Sequence, residues 1–183
     1  MQKKQKELLL IYLNEFNLEF LNKGAKKYNC PSIKEVLKLK KIQTYTKDKT
    51  QDVDLDPWVQ SVSISTGKSS KKHKIFKLGE SLKKDHVQMW DKLSEKKITC
   101  SVWGAMNSKL RNNKYMEYYF PDPWNFKDST KPKNLMGLYY LPNYYAKNYI
   151  KFNYLKFFYF SLIFFYNLIL QVNLKIFFKD LFF

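Results

Sequence analysis

Two stretches free of charged residues, 8–13 (LLLIYL) and 98–103 (ITCSVW), each lie beside an amphipathic helical pattern and narrow the folds open to this chain. A continuous apolar run of this length is the pattern of a strand buried on both faces of a parallel sheet. The sequence therefore predicts an α/β fold, an open and mostly parallel sheet with flanking helices. Residues 8–13 would be its central strand and 98–103 a parallel neighbour. Asn14 and Gly104 would then emerge at one edge of the sheet, where ligands of open α/β sheets bind.

The segments between these runs carry helix signals. Leu18, Leu21, Ala25 and Tyr28 fall at helical spacing. PSIKEVLKLKK opens with Pro31 and Ser32, and Glu35 stands three residues after Ser32, the spacing of a capping box. The β-branched and aromatic residues of 42–48 suit a second strand. In DPWVQSVSISTG, Asp56 suits an N-cap, Pro57 the first helical position and Gly67 the C-terminal stop. Leu82, Val87, Trp90 and Leu93 share one helical face of 82–95. Residues 116–145, rich in tyrosine and proline, read as a loop-rich excursion with at most a short strand. The tripeptide Asp-Pro-Trp occurs at 56–58 and 122–124, but its surroundings differ, so it is no repeat.

With 183 residues the chain suits one domain with a core. The expected division is a partial α/β domain over 1–149 and an apolar, aromatic tail over 150–183. A net charge of +17 invites a nucleic-acid or anionic-membrane partner. Arg111 is the single arginine, though, and the lysines are spread from Lys3 to Lys179. That favours a solvated basic surface with no specific nucleic acid. Cys30 and Cys100 form no close pair, which fits a reducing, cytoplasmic compartment. The N-terminal apolar run is too short for a signal-peptide core. Between Lys156 and Lys175 no residue is charged, approaching the ~20 apolar residues that span a bilayer. Three readings stay open for this tail: a membrane segment through 157–174, a helix meant to be covered by protein, or a run of non-native AT-rich sequence.

A resemblance enters through DPWVQSVSISTGKSSKKHKIFKLGE. Thr66-Gly67, five residues, His73, one residue and Ile75 resemble the threonine-glycine and histidine-glycine-isoleucine spacing of the nucleotide pyrophosphatase and phosphodiesterase branch of the alkaline-phosphatase-like superfamily. Lys74 stands where that family has glycine. LLLIYLNEF is similar to the family's first strand, and WDKLSEKKITCSVWGAMNS to the helix and strand that follow. The resemblance covers roughly the first 125 residues.

The resemblance implies a metal-dependent hydrolase of phosphate or sulfate esters, using a divalent ion such as zinc or manganese. It puts Asn14, with Glu15 beside it, at the metal-binding end of the first strand; these two residues can also simply close a strand and begin a loop. It puts Pro57 where the family has its nucleophile, and proline has no hydroxyl. Asp56 is then the nearby group able to ligate metal or attack phosphorus, or else an ordinary N-cap. Gln60 falls where the family contacts phosphate, and Thr66, Gly67 and His73 form the structural motif. Two-metal phosphoryl transfer needs several converging carboxylates and histidines, and the sequence holds two histidines, His73 and His86. His86 reads as a solvated residue of a polar helical face. The chain is thus expected to be an N-terminal fragment, inactive alone. The alternative from another class is a non-catalytic basic protein held at a membrane by 157–174.

Overall fold

The computed structural model describes residues 7–14, 16–42, 55–80, 82 and 85–171. The chain divides into two compact units, Met1–Lys47 and Asp48–Phe183.

In the first unit, α1 (Leu18–Tyr28) begins where Asn17 Oδ1 accepts the N–H of Phe20 at 2.9 Å, and it stops at Asn29 in the left-handed conformation. The helix α2 (Pro31–Lys38) follows at once. It starts two residues earlier than the capping-box pattern implies: Cys30 is the N-cap residue, Pro31 fixes the first turn, and Glu35 bonds Lys38 at 2.7 Å instead of reaching back. Residues 8–13 are not a strand. They run without regular structure, and Leu8 is 91% exposed. A doubly buried strand needs hydrogen-bonding neighbours, and the described residues of this unit supply only two helices. The proposed strand at 42–48 lies, except for Ile42, outside the described residues.

The second unit mixes helix and strand around a two-stranded parallel sheet. Helices α3 (Pro57–Thr66), α4 (Ser70–His73) and α5 (Met89–Glu95) precede β1 (Cys100–Trp103) and β2 (Met116–Phe120), and α6 (Met136–Asn148) and α7 (Tyr154–Gln171) follow. The strand expected at 98–103 is present as Cys100–Trp103, but its parallel partner is β2, the short strand of the segment read as loop-rich. Val102 faces Tyr119 and Trp103 faces Phe120 across the pair, and an irregularity after Cys100 absorbs Glu117. The crossover between them, residues 104–115, carries no helix. One face of the sheet builds a core of Trp90, Val102, Met116 and Tyr119. Trp103, stacked on Phe120 at 4.2 Å, remains 71% exposed, so the sheet is not covered on both sides.

Helix α5 is shorter than the 82–95 pattern predicts. Gln88 takes the N-cap position, and its side chain and that of Asp91 form a reciprocal capping box. Leu82 and Val87 precede the helix. The tyrosine-rich stretch YYLPNYY, read as loop, lies within α6 despite Pro142, which has no N–H to offer the preceding turn. Packing outweighs that loss: Leu138 and Tyr139 join Phe120 in a second cluster, closed from the other side by Phe164 and Leu168 of α7.

Gly137 lies directly against the side chain of Asn167, so a Cβ there would collide with it. Gly137→Val is expected to cost about 2 kcal/mol by overpacking the α6–α7 contact. Urea melts of this variant and of Gly137→Val with Asn167→Ala test the point, because the second change should recover most of the loss. Equal losses in both proteins would place the strain elsewhere.

Candidate active site

Pro57 sets the first turn of α3, and the Asp56 carbonyl accepts the N–H groups of Val59 and Gln60 at 2.9 and 3.0 Å. The Asp56 side chain makes no capping bond, so its half-buried carboxylate is not spent on the helix end as the N-cap reading had it. Gln60 is half-buried one turn on. Val59 and Val62 anchor the helix body, fully buried. Two bonds set its position: Trp58 Nε1 donates to the Phe76 carbonyl at 2.9 Å, and Ser61 Oγ donates to the Met106 carbonyl at 3.0 Å. The second bond holds α3 against the loop that leaves the carboxyl end of β1.

The Thr66, Gly67 and His73 motif is a folded turn. Gly67 takes φ +66° and its N–H closes on the Ser63 carbonyl at 2.9 Å. Thr66 Oγ1 donates back to Val62 and accepts the Lys68 N–H. His73 is wholly buried; its Nδ1 accepts the Ile75 N–H at 3.0 Å, and its Nε2 meets Ser63 Oγ at 3.0 Å. A backbone N–H on Nδ1 puts the neutral ring's proton on Nε2, which therefore donates to the serine. In that direction the pair cannot deprotonate Ser63, and it serves the turn. His86 is also buried, contrary to the solvated helical reading. The helix begins only at Met89, so His86 belongs to the preceding loop, tied down where Arg111 Nη2 donates to its carbonyl at 2.9 Å.

Sequence reasoning did not single out the largest polar constellation. It joins the loops that follow β1 and β2. Asn107 accepts the Gly79 N–H on Oδ1 at 2.7 Å and donates to the Lys77 carbonyl, while its own N–H reaches Asp122 Oδ2 at 3.2 Å. Asn125 Nδ2 donates to the Ser108 carbonyl and to Asp128 Oδ2, each at 3.1 Å. Tyr119 Oη bonds Ser108 Oγ at 3.0 Å and donates to Asp128 Oδ2 at 3.3 Å. From α6, the Tyr139 hydroxyl donates to the carbonyls of Asp122 and Asn125, and Asn143 donates to Pro123. Burial pushes the Asp122 carboxyl up to about 6 and pushes both tyrosine hydroxyls well above their usual range. The available sequence signal was Asp122-Pro123, a turn opener followed by Asn125. At 56–58 the same tripeptide opens a helix, and at 122–124 it opens a loop.

This constellation is closed: the crevice between Asn107, Ser108, Asn125 and Asp128 has no room for a water molecule. A wider hollow of about 380 Å³ lies between residues 110–113 and 129–133, lined in part by Arg111, Lys131 and Lys133. No protein-family model, curated protein or solved structure matches the chain. For a divalent ion the described residues supply no complete donor set. Asn14 is an exposed turn residue of the other unit, and Glu15 lies outside the described residues. Among the described residues no group of three or more His, Cys, Asp and Glu side chains comes together, so Asp56 has no donor set around it.

Proposed function

We propose that this chain is a partial α/β segment of a metal-dependent hydrolase of phosphate or sulfate esters, and that alone it does not turn substrate over. The observation carrying this reading is the Ser61–Met106 bond, which holds α3 against the loop after β1. That is the side of a parallel sheet on which ligands bind, and Asp56 and Gln60 are the residues at the start of α3 that this reading assigns to the ester. The expected zinc or manganese would need donors beyond the described residues, so no step is routed through it. The full chain is expected to hold one such ion that Asp56→Asn releases, and to give negligible turnover of bis(p-nitrophenyl) phosphate or p-nitrophenyl sulfate. Failure to bind either ion would retire the ester reading. Metal-dependent turnover abolished by Asp56→Ala would retire the inactivity.

A second reading, contact with a membrane through 157–174, draws on a different observation. Helix α7 is long and apolar enough to cross a bilayer by length and composition, and none of its residues is buried.

A further inference from the structure

The exposure of α7 is one-sided. Leu155, Phe158, Tyr159, Leu162, Phe165, Tyr166, Ile169 and Leu170 are each more than half exposed, and their spacing of three and four residues makes one continuous apolar face. The opposite face is occupied. Phe160 packs on Tyr140 and Tyr144 with ring centres 6.0 and 5.1 Å apart, Phe164 and Leu168 close the Phe120 cluster, and Asn167 sits on Gly137. The partner helix α6 is itself tied to the loop after β2 by Tyr139 and Asn143.

These contacts decide how α7 can meet lipid. Crossing a bilayer would carry α6 and its polar anchors into hydrocarbon or break the α6–α7 contact, and buried polar groups without partners are costly there. Lying in the interface requires neither. Charge identifies the occupant: from Ser129 to Lys179 the sequence has seven lysines and no acidic residue. Lys151 and Lys156 are exposed at the start of the helix. A second copy of a chain with net charge +17 is repelled by such a surface, whereas anionic headgroups are attracted.

We propose that α7 is an interfacial anchor that lies flat on an anionic membrane, with the Leu155–Leu170 face in the acyl boundary and the other face kept on α6. This deepens the membrane contact described above and makes no use of Asp56, so lipid binding and metal binding can fail separately. The test is sedimentation of the full chain with phosphatidylcholine vesicles, with and without phosphatidylserine. Binding is expected to be at least about tenfold tighter to the anionic vesicles, to weaken in high salt and to be released by alkaline carbonate. Phe158→Glu with Phe165→Glu should abolish it while circular dichroism and the melting transition stay unchanged. Equal binding to both vesicles that resists carbonate would mean a spanning helix and would overturn the proposal. No vesicle binding would also overturn it, and a dimer dissolved by the double glutamate variant would then name a second copy as the occupant.

Discussion

Replacing Tyr119 by alanine is expected to destabilise the second unit by about 4 kcal/mol, the middle of the range for removing a large buried aromatic side chain. Three structural links meet at this residue. Its ring lies wholly buried among Trp90, Val102 and Met116. Its backbone pairs on one side with β1 and on the other exchanges two 2.8 Å bonds with Lys131. Its hydroxyl bonds Ser108 and Asp128, from the loops at the carboxyl ends of both strands. Alanine would leave a cavity and at the same time strip both loops of a shared partner. Tyr119→Phe keeps the ring and should cost only about 1–2 kcal/mol, the range for one lost buried hydrogen bond. Since whole domains are stable by about 5–15 kcal/mol, the alanine protein should lose between about a quarter and most of its stability. Urea titrations of both variants separate the two contributions. Equal losses would mean that the hydroxyl, not the ring, holds the core.

The contrast between α3 and its surroundings shows which parts of the structure the sequence exposes. Asp56-Pro57 and Gly67 are local signals: a fixed φ at one end and a left-handed glycine at the other are properties of single residues, and both ends fall as expected. The same holds for α1, whose apolar stripe is a local pattern, although the Asn17 cap beside it went unread. The start of α5 was hidden because Gln88, an unusual N-cap, completes its box with Asp91. Residues 8–13 mislead because an apolar run states that a segment wants burial but not what will bury it. β2 was legible only as a short strand in a loop-rich segment, and α6 was missed for the reverse reason. The tyrosines and Pro142 of α6 weaken helix propensity, and the compensation comes from Phe120 and Phe164, which are distant in sequence. The polar constellation was illegible on the same grounds, since Asn107, Asp122 and Asn125 have ordinary turn chemistry until their loops are brought together.

The stability of this constellation should depend on pH in an unusual direction for a carboxylate. Burial raises Asp122 from 3.8 to about 6, more than the N–H groups of Trp124 and Asn107 lower it, and the charge of Asp128 adds to the rise. Between these values the folded chain holds a proton that the unfolded chain releases, so stability falls as pH rises. The favourable contribution is fully present below about 3.8 and is lost as pH passes through about 6, a change of about 3 kcal/mol at 1.36 kcal/mol per pH unit. Self-repulsion of a chain with net charge +17 grows as other carboxylates protonate and works the opposite way. The informative quantity is therefore the difference between the parent chain and Asp122→Asn, which cannot titrate at this position and keeps one acceptor for the two N–H groups. Melts from pH 4 to pH 8 should show the parent losing its advantage over the variant between pH 4 and 6, with the difference level above about pH 7. Parallel curves would mean that Asp122 is ionised in the fold throughout. The loops after β1 and β2 would then be held by a buried charge, not by a protonated carboxyl that ionises near neutrality.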